Sequence, residues 1–459
     1  MATVDRGSSP RAGRASTTAA TGTAPDGAAG SPPLARVLIV VQNLSVPLDR
    51  RVWLECQTLV GAGHQVSVIC PRDDGQPAHR TLDGVRIHTY APPRPRSGVG
   101  GYVVEFLYCW LRTALLSVGV ARREGFDVLQ ACNPPDTYWL LGLLYKVFGG
   151  KRFVYDQHDL CPEVYSARFG RAGLLHRGLL LLERATYATA DQVISTNPSY
   201  QEIALRRGRV PVERTSIVLS APDPDAMRRT DGDPALRHGR DHLVCYLGIM
   251  GPQDGVDRLL GAIDHYVHVM GRTDAHFGLL GFGDCLDALR VESRTRGLDD
   301  VVTFTGKVGP EEITRWLSSA SLGVTPDPKN EFNDKSTMNK TLEYMSFELP
   351  VVGFDLVENR RSAGDAGSYV TKDDDAALGK AIAELLDDPE RRARMGAIGR
   401  KRVEDSLRWS KQEPVYLEVF RRLAPRRAVP RPAAGRRAVP RPAVPRRAAR
   451  PDAPRGPVS

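Results

Sequence analysis

The hydrophobic positions fall into short continuous runs separated by longer amphipathic stretches. From Arg36 the runs are "RVLIVV" (36–41), "QVSVIC" (65–70), "VRIHTY" (85–90), "DVLQA" (127–131), "RFVYD" (152–156), residues 192–195 and "TSIVL" (215–219). Between the first two, "RRVWLECQTLVGAG" carries apolar residues at helical spacing and closes on Gly63. Apolar strands alternating with helices predict a parallel sheet covered on both faces. The stretch 220–241, rich in Asp, Pro, Gly and Arg, breaks the alternation and reads as a linker. The alternation then resumes with "HLVCYL" (242–247), "HFGLL" (276–280), "VVTFT" (301–305), "SLGVT" (321–325) and "PVVGF" (350–354). The pattern predicts an α/β protein of two doubly wound, Rossmann-like domains. Ligands would sit at the carboxyl ends of the strands, in the cleft between the domains.

The expected divisions are a disordered lead-in over 1–34, a first domain over 35–222, a linker over 223–241 and a second domain over 242–404. A last helix over 405–423 and a disordered Arg/Pro-rich tail over 424–459 follow. The net charge of +9 belongs to the tail: residues 421–459 hold twelve Arg and one Asp, leaving the rest nearly neutral. The tail lacks aromatic residues for base stacking, which argues against nucleic acid and leaves an anionic membrane surface as the better partner, beside a proline-rich docking segment or an inert tail. Seven scattered Cys without a CxxC pair favour a reducing cytoplasm and argue against zinc. The lead-in has no apolar core of a signal peptide. The run 102–121 is broken by Glu105 and Arg112. It reads as a buried amphipathic helix, or as an interfacial one with Tyr102, Tyr108 and Trp110 at headgroup depth.

Four stretches could carry chemistry. In "DKSTMNKTLEYMSFELP" (334–350), helical spacing puts Met338, Leu342 and Met345 on one face and Asn339, Lys340 and Glu343 on the other. Ser336 is the expected N-cap and Pro350 the stop. The polar face is either solvated or a site for an anionic, hydroxylated ligand. "YLGIMGPQDGVDRLL" (246–260) places Gly248 and Gly251 between a strand and a helix, and "LLGFGDCLDAL" (279–289) repeats this with Gly281 and Gly283. Such glycines admit an anion to a helix N-terminus or serve only the turn. "YDQHDLCPEVY" (155–165) puts His158 and Asp159 just past a buried strand, as a catalytic or a structural pair. The loop 42–53 offers Asp49, Arg50 and Arg51 at the end of the first strand, as a site-facing loop or an exposed charge cluster.

Taken together, these stretches resemble the retaining glycosyltransferases of family 4, with the GT-B fold, from about Arg36 to Leu423. The resemblance rests on "RRVWLECQTLVGAGHQVSVICP", "FVYDQHD", "TFTGKVGPEEITRWLSSASLGVTPD", "KTLEYMSFELPVVGFDLVENRRSAGDAGSYV" and "RWSKQEPVYLEVF". "PLDRRVWLE" and "NDKSTMNKTLEYM" are similar to a bacterial branch that makes exopolysaccharide, capsule and O-antigen. The resemblance implies transfer of a hexose from a UDP- or GDP-linked sugar to a hydroxyl, with retention and without metal or cofactor. Beside it, the amphipathic segment 102–121 and the loop 132–139 favour a lipid-linked or saccharide acceptor, and the cysteine usage and basic tail a cytoplasmic protein, peripheral on the inner membrane face. Glu343 matches the carboxylate that binds the ribose, and His158 the histidine that faces the donor sugar. Trp409 matches the tryptophan before a helix that crosses back to the first domain. Two positions depart from the pattern. Lys335 stands where the family's first Glu should be, leaving Asp334 to serve the donor sugar. Gln253 or Asp254 stands where a diphosphate-binding Lys is expected, leaving that duty to Lys340. Gly248, Gly251, Gly281, Gly283 and Asn339 complete the implied donor side, with His158, Asp159 and Lys340 as catalytic groups and Asp49 and Arg50 on the acceptor side. A GT-B sugar-nucleotide 2-epimerase and a degenerate binding protein are the alternatives.

Overall fold

The computed structural model describes residues 34–93, 99–170, 173–371 and 374–423. The expectations of disorder over 1–34 and 424–459 fall outside the described residues, save for Leu34. Two sheets carry the fold. The first takes β1 (Arg36–Val40), β2 (Gln65–Pro71), β3 (His79–Leu82), β4 (Val85–Tyr90), β5 (Val128–Cys132), β6 (Arg152–Gln157), β7 (Gln192–Ser195) and β8 (Thr215–Ile217). Its order is β3-β4-β2-β1-β5-β6-β7-β8, and only the β3–β4 pair is antiparallel. The second takes β9 (His242–Ile249), β10 (Ala275–Phe282), β11 (Val302–Gly306), β12 (Leu322–Thr325), β13 (Val351–Phe354) and β14 (Gly367–Val370). It is all parallel, in the order β11-β10-β9-β12-β13-β14. Every strand expected from the apolar runs is present. β3 and β14, edge strands without such a run, were not expected.

The strands read as unbroken apolar runs because each face of each sheet is covered. In the first sheet Val37, Ile39, Val66 and Val68 point to one layer, built by the helices Arg50–Gly61 and Trp409–Leu423. Leu38, Val40, Leu129 and Phe153 point to the other, built largely by Val99–Arg123, Trp139–Gly149 and Leu174–Thr189. The final helix thus packs on the first sheet although it follows the second in sequence. Trp409 Nε1 donates to Thr58 Oγ1 at 2.9 Å, and Tyr416 and Phe420 are wholly buried. The segment before β9 is stitched to the second domain: Thr230 and Asp233 backbone amides bond Ser318 and Ser319.

The helix Val99–Arg123 departs from the buried reading of this run. Only 22% of its most apolar window is covered, and Leu107, Leu111 and Leu115 form an exposed stripe. All seven cysteines are free thiols; five are fully buried, as small apolar residues in this fold.

Candidate active site

The carboxyl ends of the two sheets face one another and touch. Asn197, just past β7, donates to Lys335 O at 2.9 Å and to Thr337 Oγ1 at 3.2 Å. Tyr200 and Ser336 hydroxyls stand 3.0 Å apart, and Arg50 forms an ion pair with Glu343. This closed edge collects most of the residues singled out from sequence.

The stretch 334–350 breaks into two helices, Glu331–Lys335 and Asn339–Ser346. Ser336 is therefore not an N-cap. It caps the C-terminal end of the first helix, and its hydroxyl donates back to Phe332 O at 2.8 Å. Met338 precedes the second helix and offers no side-chain cap. That helix is buried from Lys340 to Ser346, so the polar face is not a solvated one. Lys340 Nζ donates to the buried Asp327 carboxylate at 2.7 Å and lies 5.1 Å from the Tyr246 ring centre. Glu343 is 7% exposed and its carboxylate meets Arg50 from the other domain. Burying a Lys and a Glu at one cleft is costly unless each is paired, and both pairs are made here. Asn339 is exposed at the start of the same helix. Asp334 accepts from the Val357 amide at 3.0 Å and stands 3.5 Å from Lys329, at the start of the helix Val357–Ala363.

The glycines act first on the backbone. Gly281 lies opposite Gly248 in the β9–β10 register, with φ +154°; a Cβ there would sit 1.8 Å from Gly248 O. Gly283, φ +153°, would meet Met250 O at 2.6 Å. These two allow the ends of β9 and β10 to close. Gly248 and Gly251 instead make room for side chains: Lys340 Cε lies 3.2 Å from the Cβ position of the first, and an Arg168 nitrogen 3.0 Å from that of the second. Asp254 accepts from the Gly251 amide at 2.9 Å, and burial pushes its carboxyl up to about 6 against the pull of Lys340.

On the opposite wall, the Asn133 side chain fixes the turn after β6. Its Oδ1 accepts from the His158 and Asp159 amides at 2.7 and 3.1 Å, and its Nδ2 donates to Asp159 O at 2.7 Å. His158 Nε2 stands 2.9 Å from Asp156 Oδ2 and 3.1 Å from Arg51 Nε. Among the described residues its Nδ1 has no protein partner. Burial raises the Asp159 carboxyl, partly offset by His158. Asp49 caps the helix Arg50–Gly61 by accepting from the Val52 amide at 3.1 Å, while Arg50 is largely exposed beyond its pair. Arg51 does not belong to an exposed cluster. Its guanidinium is buried, donating to Asp156 at 3.0 Å and to Val218 O at 2.8 Å.

Behind His158 lies a network that sequence inspection did not assemble. Gln130 Nε2 bridges Glu55 Oε2 at 2.8 Å and Asp156 Oδ2 at 2.9 Å, and its Oε1 accepts from Tyr416 at 2.7 Å. Glu55 Oε1 is 3.0 Å from Arg51 Nε, with no aligned hydrogen bond. Burial and the neighbouring Asp156 push Glu55 well above the usual carboxylate range. Burial acts on Asp156 in the same sense, but Arg51 and His158 outweigh it and hold that carboxylate well below its ordinary value. Of the two carboxyls, Glu55 is thus the one whose proton is favoured, and Asp156 is the ionised partner of Arg51. Cys132, Asp156 and His158 cluster closely enough to suggest metal ligands, yet Arg51 and Gln130 already occupy the Asp156 oxygens.

Two facing Rossmann-like domains with this cleft define a class of protein, and the comparisons agree. The family described as "Glycosyl transferase 4-like domain" matches residues 48–219, and "Glycosyl transferases group 1" matches residues 241–388. Both halves of the chain thus match glycosyltransferase domains, and the fold is the GT-B fold. It is similar to an alpha-D-kanosaminyltransferase of Streptomyces kanamyceticus, 28% identical over 46% of this chain and 55% of that one. It is also similar to a GDP-mannose-dependent alpha-(1-6)-phosphatidylinositol monomannoside mannosyltransferase of Mycolicibacterium smegmatis, 26% identical over 41% of this chain and 50% of that one. The matched region spans about half the length of these curated relatives. Among solved structures, Anabaena Alr3699/HepE in complex with UDP-glucose is alike in fold: TM-score 0.63, 15% identity, covering 84% of this chain and 100% of that one.

Proposed function

We propose that the protein transfers a hexose from a nucleoside-diphosphate sugar to a hydroxyl acceptor with retention of configuration. The observation that carries this reading is the buried Lys340–Glu343 pair on one short helix, opposite His158 across a closed cleft. Glu343 would accept from the ribose hydroxyls once Arg50 yields it. Lys340 would meet the diphosphate, sharing its charge between Asp327 and the ligand. In the oxocarbenium-like transition state negative charge grows on the departing diphosphate, where a preorganised cation is worth about 3–4 kcal/mol. His158, held by Asn133 and Asp156, presents its free Nδ1 edge to the donor sugar. Asp159 beside it offers a carboxyl raised by burial, suited to handle the acceptor proton. Asp334 and Asn339 flank the sugar end of the site; Asp49 and Arg50 flank the acceptor side. UDP and GDP donors both suit a site of this kind, since the likeness to Alr3699/HepE points to the first and that to the mannosyltransferase to the second.

A role in bacterial cell-surface or exopolysaccharide assembly, peripheral on the inner membrane face, completes the proposal. Its support is a surface of three adjacent helices, Val99–Arg123, Trp139–Gly149 and Leu174–Thr189. Over half of the exposed large apolar side chains among the described residues fall on them, including Leu111, Leu115, Phe148 and Leu181. Arg112, Arg122, Arg123, Arg177 and Arg184 are exposed on the same helices, whereas Glu105 is half-buried and Glu183 buried. Apolar area beside cationic, acid-poor edges fits an anionic bilayer.

Thermal unfolding against UDP, GDP and their sugars tests the donor site. A ligand at 100 times its Kd adds about 2.7 kcal/mol, and Lys340→Ala and Glu343→Ala should abolish the shift. No shift with any nucleotide would refute the transferase reading.

A further inference from the structure

We propose that Arg168 supplies, from the opposite domain, a diphosphate-binding cation that the loop after β9 lacks; this rests on the nucleotide-sugar reading above. Residues 250–255 read "MGPQDG", with neither Lys nor Arg. Arg168 lies in the first domain, near the C-terminal end of the helix Cys161–Phe169, yet it reaches this loop. Its Nε donates to Gln253 Oε1 at 2.9 Å, and one terminal nitrogen lies 3.0 Å from where a Cβ of Gly251 would stand, beside the Gln253 amide at 2.9 Å.

The charge of Arg168 is loosely held. Its carboxylate neighbours are Asp284, 3.7 Å away and 71% exposed, and the loop's own Asp254, which feels its charge without an ion pair; Gln253 is neutral. A long, solvated pair of this kind contributes little and is easily exchanged for a better anion. Arginine prefers planar, bidentate oxygen acceptors, which phosphate provides. Lys340 approaches the same loop from its other end, beside Gly248. The two cations therefore bracket residues 248–251, one from each domain. A single phosphate can engage one of them, whereas two linked phosphates can engage both. The loop glycines leave the room that both cations use. Because Arg168 moves with the first domain, its bond to the diphosphate also ties donor binding to closure of the cleft.

Calorimetric titration of the full chain with UDP, GDP, inorganic pyrophosphate, UMP and GMP tests this. Arg168→Ala should weaken the diphosphates by about tenfold or more, the worth of a charged hydrogen bond, and change the monophosphates by less than about twofold. Arg168→Lys should recover part of the loss, which separates a charge effect from a folding defect. Unchanged diphosphate binding in Arg168→Ala, with nucleotide binding intact in the wild type, overturns this inference alone. A wild type that binds none of the probes overturns it together with the donor reading. An equal loss for mono- and diphosphates also overturns it, since Arg168 would then act on the whole cleft.

Discussion

The buried group behind His158 makes a prediction about charge that two nearly isosteric substitutions can separate. Glu55 and Asp156 are both fully buried, and the one Arg51 guanidinium serves both. With both carboxyls ionised, two negative charges out of reach of water would share one guanidinium. Protonation of Glu55 leaves that guanidinium to Asp156, in line with the opposite directions in which the two acids are moved. Glu55→Gln replaces a neutral acid by a neutral amide that still accepts from Gln130 and can donate to Asp156. Its expected cost at pH 7 is below about 1 kcal/mol. Asp156→Asn removes the ionised partner of Arg51 and forces the buried Glu55 to give up its proton as the replacement counter-ion, which costs about 3–5 kcal/mol. In a domain of this size that is a melting shift of roughly 10 °C. Thermal and urea unfolding of both variants, followed by the near-ultraviolet signal of the first domain, measures the difference. If Glu55→Gln destabilises as much as Asp156→Asn, Glu55 is ionised in the folded state and the reasoning fails.

Two further outcomes are expected. Arg207 meets both Glu163 and Glu183, and burial pushes Glu183 up to about 7 despite that partner. A carboxyl with a raised folded-state pKa retains its proton where the unfolded chain has lost it. Stability should therefore fall by up to about 3 kcal/mol as pH rises from 4.5 to 7, and Glu183→Gln should flatten the curve. On the membrane side, Leu111→Glu and Phe148→Glu should each reduce cosedimentation of the full chain with phosphatidylglycerol vesicles by about tenfold, while phosphatidylcholine vesicles bind poorly. Binding unaltered by either variant would assign the contact to the tail, and a change in oligomeric state would assign the face to a second copy.

The strands were legible because a parallel strand buried on both faces leaves an unbroken apolar run, from "RVLIVV" to "VVGF". β3 reads "HRTL" and β14 "GSYV": each lies at a sheet edge, where half-exposed positions dissolve the run. Local spacing placed Lys340 and Glu343 on one helix face, because residues three apart share a face whatever surrounds them. It could not show their partners. Asp327 lies 13 residues away across a strand end, and Arg50 lies 293 residues away in the other domain. Ser336 misled for a local reason: a Ser before a helical pattern looks like a cap, but a short helix ends there first. The pattern around Arg51 fits a site-facing loop as well as an exposed charge cluster. Only the fold shows that Arg51 turns inward onto Asp156.

The helix Trp409–Leu423 covers the first sheet, and Tyr416 donates into the cluster of Gln130, Glu55 and Asp156. Its place after the second domain in sequence sets an order for synthesis. β8 ends at Ile217, so about 190 further residues must be made before Trp409 appears. At 5–20 residues per second that is roughly 10–40 s. Through that interval the nascent first domain carries an apolar layer covered only in part, by the helix Arg50–Gly61, and a charged group that lacks one of its hydrogen-bond donors. The second domain can finish its own sheet in the meantime. The half of the protein that leaves the ribosome first is therefore the half that completes its core last.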